Sequence, residues 1–327
     1  MKGTNMQDIA VDTIVAKPGQ KAQGYLTVGE MQDGNPIRIP AAIVNGVEDG
    51  PVLYLQAASD GDELNGIAVI QEILRQIEPY QLRGGIIAVP LVNYHAFHAK
   101  RTSSPVDGKK MNRCFPGKAD GSSSERIAHE LFNRAIKQAD YCIDLHQGGV
   151  NPMIDEVRVR VGKEDSQHDA CLELARVFGI GYILDQKGPD GQLARAAPAE
   201  GIPTIDPELG GCHGWDDKSI AKGIVGVKNI LKHYDFIEGE PVIPGKQIVV
   251  DSFTKVMSNR GGFVRYLAQL YDHIEADQPI AEILDVFGDL VEIIKAPKPG
   301  IFWGKNLYPM VASGESIATI GINVKYI

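Results

Sequence analysis

The chain of 327 residues is 43% hydrophobic and 23% charged, which is typical of a globular protein with a substantial buried core. Its formal charge of −9 at pH 7 argues against non-specific binding to nucleic acids and against docking on anionic membranes. A small molecule is therefore the expected partner.

Two further patterns bear on the compartment. The four cysteines are far apart and form no C-x-x-C pair, so they indicate neither a zinc knuckle nor a dense disulfide framework. Residues 1–8 lead into no uninterrupted apolar segment, so the pattern predicts neither a signal peptide nor a transmembrane helix. Together these observations predict a cytoplasmic enzyme.

Two β-like runs open the chain, at residues 22–31 and 36–45. The residues between them, Gln-Asp-Gly-Asn, have strong turn chemistry, so the pattern predicts a β-hairpin. We expect this hairpin to be scaffold rather than part of a functional site.

A buried strand over residues 52–57 is predicted to end in a turn that carries Asp60 and Glu63. Apolar residues then recur every three to four positions over 67–77, which predicts an amphipathic helix. The two acids therefore leave the carboxyl end of a strand, where open α/β sheets carry their chemistry. At pH 7 they repel each other unless one is protonated or a cation lies between them, so a metal site is the functional interpretation. On these residues alone, acids that only cap the helix start are the slightly favoured interpretation.

The run 85–93 is predicted to be a second buried strand, and strand, helix, strand is the α/β unit. The polar stretch 94–121 that follows has a length at which loops are usually functional or disordered. It carries Arg101 and the pair Asn112-Arg113. An asparagine beside an arginine presents an amide and a planar fork, which suit a carboxylate. A solvated arginine is the other interpretation of the pair.

The capping box Ser122-x-x-Glu125 predicts the start of another helix. Residues 141–145 then form a short predicted strand that ends before a glycine turn, so His146 would share the sheet edge with the two acids. A lone histidine at a strand end is more often a hydrogen-bonded structural residue. The shared edge is what favours a metal ligand here.

A short strand over 203–209 contains two prolines, which predict irregular pairing, and brings Glu208 toward the same edge. An exposed loop carboxylate is the other interpretation of Glu208. The remaining elements of this part of the chain are predicted as strands at 155–161 and 181–186 and as helices at 167–178 and 220–234.

A Pro- and Gly-rich linker follows at 239–246, and helical periodicity is lost beyond it. Short β-like runs separated by Gly, Pro and Asp fill residues 247–327. The sequence therefore predicts two domains, an α/β domain over 1–240 and a small all-β domain over 247–327.

Four short motifs occur in a fixed order along the chain. They are Asp60-x-x-Glu63, Asn112-Arg113-x-Phe115-Pro116-Gly117, Asp144-Leu145-His146 and Glu208-Leu209-Gly210-Gly211. In this order the chain resembles the succinylglutamate desuccinylase/aspartoacylase family, which belongs to the zinc carboxypeptidase superfamily. Longer members, including diaminobutyrate deacetylase-like enzymes, also carry a C-terminal β domain. The resemblance covers essentially the whole chain and implies an α/β fold with a carboxypeptidase-like mixed sheet flanked by helices.

The resemblance implies metal-assisted hydrolysis of the amide bond in an N-acyl amino acid. In such enzymes one divalent metal ion lowers the pKa of its water and polarises the acyl carbonyl. Glu63 matches the carboxylate ligand of the family and His146 its later histidine ligand. Glu208 matches the general base and acid that handles the water proton and the leaving amine.

The long loop supplies the substrate contacts that the resemblance implies. Asn112 and Arg113 match the pair that grips the substrate carboxylate. Arg101 corresponds to the arginine that polarises the carbonyl, although the loop makes its alignment loose.

One position departs from the family pattern His-Gly-x-Glu, because Asp60 stands where the first histidine ligand belongs. If Asp60 ligates, the site carries about one more negative charge than a site with two histidines and one carboxylate. Zinc is the expected ion, and manganese or iron becomes a stronger competitor. His95, His98 and His213 are alternative nitrogen ligands, but we expect all three on exposed loops, and Asp144 is expected behind the ligands.

The C-terminal segment resembles a biotinyl/lipoyl-type barrel-sandwich in the runs 294–301 and 311–320. The turn at 285–289 lacks the lysine that such domains modify, so we expect an architectural role beside the site or in a homo-oligomer interface. Two other functions stay open at this point. One is a catalytically impaired relative that binds or senses a small molecule, and the other is a metallocarboxypeptidase that acts on short peptides.

Overall fold

The computed structural model describes residues 7–327. Most of residues 1–8, on which the expectation of no signal peptide rested, therefore lies outside the described residues. Between residues 7 and 327, none of the helices has the length and hydropathy of a membrane span.

Strands dominate the element order. The strands are β1 (Ile9–Val11), β2 (Ile14–Ala16), β3 (Lys21–Glu30), β4 (Pro36–Asn45), β5 (Glu48–Ala57), β6 (Arg83–Val89), β7 (Tyr141–Leu145), β8 (Glu156–Val159), β9 (Tyr182–Asp185), β10 (Thr204–Glu208), β11 (Ile248–Val250), β12 (Ser252–Met257), β13 (Gly262–Tyr266), β14 (His273–Ile274), β15 (Pro279–Leu284), β16 (Leu290–Lys295), β17 (Gly300–Lys305), β18 (Met310–Val311), β19 (Ser316–Ile322) and β20 (Lys325–Tyr326). The α-helices are α1 (Asn65–Gln76), α2 (Tyr94–Ala99), α3 (Ser123–Arg134), α4 (His168–Phe178), α5 (Leu193–Ala196) and α6 (Asp217–His233).

Ten strands form one mixed sheet in the order β20-β11-β9-β8-β10-β7-β5-β6-β4-β3. Its central strands β10, β7, β5 and β6 are mutually parallel, so their carboxyl ends meet at one edge. Strand β10 is paired irregularly, as its prolines predicted. Its first residues pair with β7 in parallel, and its last three pair with β8 in antiparallel.

The central strands are apolar because helices or other elements cover both faces of the sheet. Along β5, Leu53, Leu55 and Ala57 face one hydrophobic cluster, whereas Tyr54 faces the other. Helices α1, α4 and α6 pack on the first face, and α3, α5 and the β1–β2 hairpin pack on the second. The α/β sheet flanked by helices that the sequence predicts is therefore confirmed.

Several short elements were not predicted. The β1–β2 hairpin precedes the predicted hairpin of β3 and β4. The stretch 94–121, predicted to be a loop, contains α2 and a 3₁₀ turn over Met111–Arg113, and α5 is also unpredicted. All are too short for apolar periodicity to register, although Asn93 caps α2 by accepting a hydrogen bond from the Ala96 amide at 3.2 Å.

The C-terminal segment is all-β, as predicted. Two four-stranded sheets, β12-β19-β17-β14 and β16-β15-β13-β18, enclose their own hydrophobic cluster. Strands β11 and β20 lie within the same stretch of sequence but extend the ten-stranded sheet instead. A smaller apolar cluster, which includes Ile154, Leu184 and Trp303, joins the two parts of the chain.

Candidate active site

The carboxyl ends of three neighbouring parallel strands carry the predicted site residues. Asp60 and Glu63 follow β5, His146 follows β7, and Glu208 ends β10. The backbones of His146 and Glu208 continue the strand pairing, because the Leu209 amide donates a hydrogen bond to the His146 carbonyl at 2.9 Å. The expectation of a shared edge is correct.

The turn after β5 is shaped by a close approach of another element. A Cβ atom at Gly61 would come within 2.2 Å of the Phe97 amide nitrogen in α2, so only glycine fits there. Helix α1 begins at Asn65, and Leu64 occupies its N-cap position. The Gln147 side chain accepts hydrogen bonds from the Leu64 and Asn65 amides at 3.0 and 3.2 Å. The two acids therefore do not cap the helix, and that interpretation of them is wrong.

Asp60, Glu63 and His146 form a group whose potential ligand atoms all lie within 4.8 Å of one another. Glu63 Oε2 lies 2.8 Å from His146 Nδ1 and accepts the Gln147 amide at 3.0 Å. All three residues are buried, and Asp60 Oδ1 has no hydrogen-bond partner among the described residues. Such a set of oxygen and nitrogen donors fits a divalent metal ion.

The other ring nitrogen of His146 faces the protein interior. Asp144 Oδ2 lies 3.2 Å from Nε2, and Asp144 in turn accepts a hydrogen bond from Ser59 Oγ at 3.1 Å. Asn112 Nδ2 is also 3.0 Å from Nε2. A buried polar chain thus fixes the imidazole plane. Asp144 contacts the ring nitrogen of His146 that faces away from Glu63, and its role behind a metal ligand stays a prediction.

Glu208 is buried beside the ligand group, which contradicts the interpretation as an exposed loop carboxylate. Its Oε1 atom forms an ion pair with Arg158 Nη1 at 2.6 Å, whereas Oε2 has no hydrogen-bond partner among residues 7–327. After burial, which has the largest effect, the charge of Glu208 further raises the pKa of both Asp60 and Glu63. The backbone bridge between His146 and Glu208 places Glu208 next to His146.

Burial is the main cause of the raised pKa values of the carboxyl groups in the site. It raises the pKa of Glu63 to about 8 and that of Asp206 to about 7, although His146 lowers both. Burial also raises the pKa of Asp60. Burial lowers the pKa of His146, but Asp144 and Glu63 outweigh it and the net pKa is well above its ordinary value. Without a cation, the cluster therefore retains protons at neutral pH that a bound metal ion would replace.

Comparisons with known proteins agree with this geometry. The family model described as the Succinylglutamate desuccinylase/Aspartoacylase catalytic domain matches residues 49–234. The N-alpha-acetyl-L-2,4-diaminobutyric acid deacetylase of Halomonas elongata is 30% identical over 293 residues, which cover 87% of this chain and 85% of that protein. The chain belongs to the succinylglutamate desuccinylase/aspartoacylase family. Members of this family are deacylases.

Solved structures of the desuccinylase/aspartoacylase family show the same fold. A succinylglutamate desuccinylase from Silicibacter sp. superposes with a TM-score of 0.84 at 24% identity and covers 99% of this chain and 100% of that one. The product-bound ectoine utilization protein EutE (DoeB) from Ruegeria pomeroyi gives 0.81 at 23% identity, over 93% and 95% of the two chains. This likeness confirms the predicted fold, a mixed sheet flanked by helices with an all-β C-terminal segment.

The residues that the family resemblance assigned to substrate take different positions. Asn112 is buried against His146, whereas the neighbouring Arg113 is exposed and donates a hydrogen bond to the Asn112 carbonyl. Arg101 is also exposed and lines a surface recess with Asp62 and Thr102. The roles of these three residues stay predictions.

The alternative histidine ligands lie apart from the group, since none of them belongs to a ligand cluster within the described part of the chain. His213 is exposed outside the helices and strands, as expected. His98 is exposed too, but it lies on α2 rather than on a loop. His95 is not on an exposed loop, which corrects that expectation. It is buried on α2, and its Nε2 atom lies 3.1 Å from Ser123 Oγ.

Three residues near the site were missed by the sequence analysis. Asp206 is buried on β10 and forms a second acid–histidine cluster with Asp144 and His146. Asp206 and Glu208 are two residues apart on one strand, so their side chains lie on the same face, and this spacing could have indicated Asp206 from the sequence. Lys110 Nζ lies 3.7 Å from Asp60 Oδ2, and Arg158 bonds Glu208 from β8. The sequence carried no comparable signal for these two cations, because they reach the site through tertiary contacts.

We expect the thermal stability of the metal-free protein to fall as the pH rises from about 5 to 8. In the unfolded chain the acids lose their protons near pH 4, whereas folded Glu63 and Asp206 keep theirs up to about pH 8 and 7. The raised pKa of His146 acts in the same direction. The folded state therefore binds more protons than the unfolded state across this window, so stability decreases with pH.

Thermal unfolding of chelator-treated protein at a series of pH values measures this slope. The Glu63→Gln variant is the control, since it removes one titrating carboxyl group and should flatten the decline. A melting temperature that does not change with pH in the wild type would contradict the retained protons.

Proposed function

We propose that the protein is a metal-dependent amidohydrolase that removes the acyl group from an N-acyl amino acid. The observation that carries the proposal is the buried Glu208, which leaves one oxygen without a partner among the described residues, beside a three-residue ligand group. A carboxylate in this position suits a general base, and the ligand group suits the ion that such a hydrolysis uses. The diaminobutyrate deacetylase at 30% identity supports this reaction class.

Asp60, Glu63 and His146 would hold the ion, with zinc as the expected metal and manganese or iron as competitors. When bound, the ion acidifies a water molecule and polarises the acyl carbonyl. Asp144 holds the His146 ring in place from behind.

The remaining roles concern the proton and the substrate. Glu208 takes the proton of the attacking water and passes it to the leaving amine, so the amide becomes a carboxylic acid and an amine. Asn112 and Arg113 bind the carboxylate of the substrate, and Arg101 assists at its carbonyl. The position of Asn112 against His146 would bring that carboxylate next to the ligand group. We assign these roles to the domain over 1–240 and treat 247–327 as the accompanying β domain, except that β11 and β20 belong to the ten-stranded sheet of the first domain.

Protein purified without chelator, assayed for metal content and for turnover, tests the proposal. The panel holds N-acetyl-2,4-diaminobutyrate, N-acetylaspartate, N-succinylglutamate and short peptides. We expect bound divalent metal and hydrolysis of an N-acyl amino acid, with loss of turnover on chelation and recovery on metal addition. Cleavage of peptides alone would favour the carboxypeptidase alternative. Binding without turnover across the panel would favour the impaired relative.

Arg113→Lys should raise KM, or lower kcat/KM, about tenfold or more for substrates that possess the free carboxylate. Lysine keeps the charge but cannot copy the two-pronged contact of the guanidinium. Analogues amidated at that carboxylate should barely respond to the change, so steady-state kinetics on matched acid and amide substrates measure the difference. Equal losses on both substrates would show that Arg113 acts on structure instead.

A further inference from the structure

Strand β8 carries a charge network that ends on the candidate base. In the antiparallel register of β8 and β10, Glu156 lies opposite Glu208. Arg158 bonds both acids, with Nη1 at 2.6 Å from Glu208 Oε1 and with Nε and Nη2 at 2.8 and 2.6 Å from Glu156 Oε1. One guanidinium therefore bridges two buried carboxylates.

The same network continues into the C-terminal β segment. The other carboxylate oxygen of Glu156, Oε2, accepts a hydrogen bond from Trp303 Nε1 at 2.9 Å. Glu156 is 0% exposed and Trp303 is 2% exposed, so bulk water has little access to this contact. The backbones are joined as well, because the Ile154 amide donates to the Trp303 carbonyl at 3.0 Å and the Lys305 amide to the Pro152 carbonyl at 3.0 Å. These two hydrogen bonds join β17 to residues 152–154, which lead into β8.

We propose that Arg158 is a positioning residue for Glu208, and that Trp303, acting through Glu156, makes the C-terminal β segment part of that positioning. This inference rests on the proposed role of Glu208 as the base.

The physical reason lies in how a carboxylate is used. Arg158 occupies Oε1 of Glu208 and leaves Oε2 without a partner among the described residues, so one oxygen is held and the other is left to take a proton. A base must sit within hydrogen-bond reach of its proton, and a misplacement of about 1 Å costs up to about a hundredfold in rate. A charge-assisted bond in a buried site fixes the carboxylate plane more firmly than packing alone.

A direct role of Arg158 in binding substrate fits the contacts less well. Nε donates a hydrogen bond to Glu156 Oε1, and Nη1 and Nη2 lie 2.6 Å from oxygens of Glu208 and Glu156, so each of the three nitrogens already faces a carboxylate. A substrate carboxylate would have to share these nitrogens through the remaining two of the five N–H groups. The two roles differ in kinetics. A positioning residue changes kcat through Glu208, whereas a substrate contact changes KM whether or not Glu208 is present.

The test is a double-mutant cycle between Arg158 and Glu208. We expect Arg158→Met to lower kcat about tenfold to a hundredfold with little change in KM or metal content. Arg158→Lys keeps the charge for the fold and should recover part of that loss. In the Glu208→Gln background, Arg158→Met should cost nothing more, because the group it positions is gone. Full additivity, or an effect confined to KM, would overturn the proposal.

The C-terminal link is tested with a matched pair of variants. Trp303→Phe removes the indole donor to Glu156, whereas Tyr271→Phe removes a hydroxyl that bonds the adjacent Asp155 at 2.9 Å, off the path to Glu208. Assayed well below their melting temperatures, Trp303→Phe and Glu156→Gln should each lower kcat about threefold to tenfold and Tyr271→Phe should not. Equal kcat values for the Trp303 and Tyr271 variants would refute the link. Normal turnover of Glu208→Gln alone would instead refute the base, and with it the proposed mechanism.

Discussion

Replacing Glu208 by glutamine should lower kcat by at least about a hundredfold and leave the metal content unchanged. Glutamine preserves the shape of the side chain, and its amide oxygen can still lie against the Arg158 guanidinium, which now pairs with Glu208 Oε1 at 2.6 Å. The amide nitrogen cannot take a proton from water or return it to an amine. The fold should persist, since the buried contact with Arg158 is kept in part.

The matched control is Glu200→Gln, the same chemical change on the turn that leads into β10. The Glu200 side chain is 49% exposed, and its ion pair with Lys137 is long, at 3.7 Å. This variant should turn over like the wild type. Steady-state kinetics and elemental analysis of the two variants side by side decide the assignment. Near-normal turnover of Glu208→Gln, with metal bound, would show that another group acts as the base.

Asp60→Ala should sharply reduce metal occupancy while the protein stays folded. Asp60 offers a carboxylate oxygen within 4.8 Å of the donor atoms of Glu63 and His146, and its Oδ1 is buried with no hydrogen-bond partner in the described chain. Its loss removes a third of the candidate ligand set. Asp60→His should rebuild a site with two histidines and one carboxylate and shift the metal preference toward zinc, because imidazole suits zinc and one negative charge is removed.

Asp62→Ala provides the control within the same turn. Asp62 accepts a hydrogen bond from Thr102 Oγ1 at 3.1 Å and lies outside the ligand group. Its metal content should equal that of the wild type. Elemental analysis of the wild type and the three variants, purified together without chelator, measures both stoichiometry and preference. Identical results for all four proteins would rule Asp60 out as a ligand.

The central sheet could be predicted from sequence because its signals are local. Residues 52–57, 85–89 and 141–145 are apolar runs interrupted by Gln56 and Asp144, and such nearly continuous runs are how strands covered on both faces appear in sequence. Each run is followed by a turn or a helix start, so the order of the amino acids alone predicts that the carboxyl ends share one edge. That edge holds Asp60, Glu63, His146 and Glu208 together.

The parts that sequence did not reveal depend on which strands become neighbours. The antiparallel pairing of β8 with β10 places Arg158 and Glu156 beside Glu208, and nothing in the local pattern of β8 indicates that register. Lys110 reaches Asp60 from a loop whose path is set by tertiary packing. Arg101 is a further example, because its position near Asn112 in the sequence did not determine where it lies relative to Asp60, Glu63 and His146.

The pairing of β11 with β20 determines how the C-terminal β segment can be removed from the chain. They pair with each other at one edge of the ten-stranded sheet, so the all-β excursion leaves and rejoins that edge at points about 5 Å apart. A stop codon after residue 246 would therefore not release an intact α/β enzyme. It would delete β11 and uncover β9, whose Ile183 and Leu184 are fully buried, as a bare edge strand open to pairing with other chains. Internal excision, which rejoins residue 250 to residue 325 through a short linker, is the deletion that respects the topology.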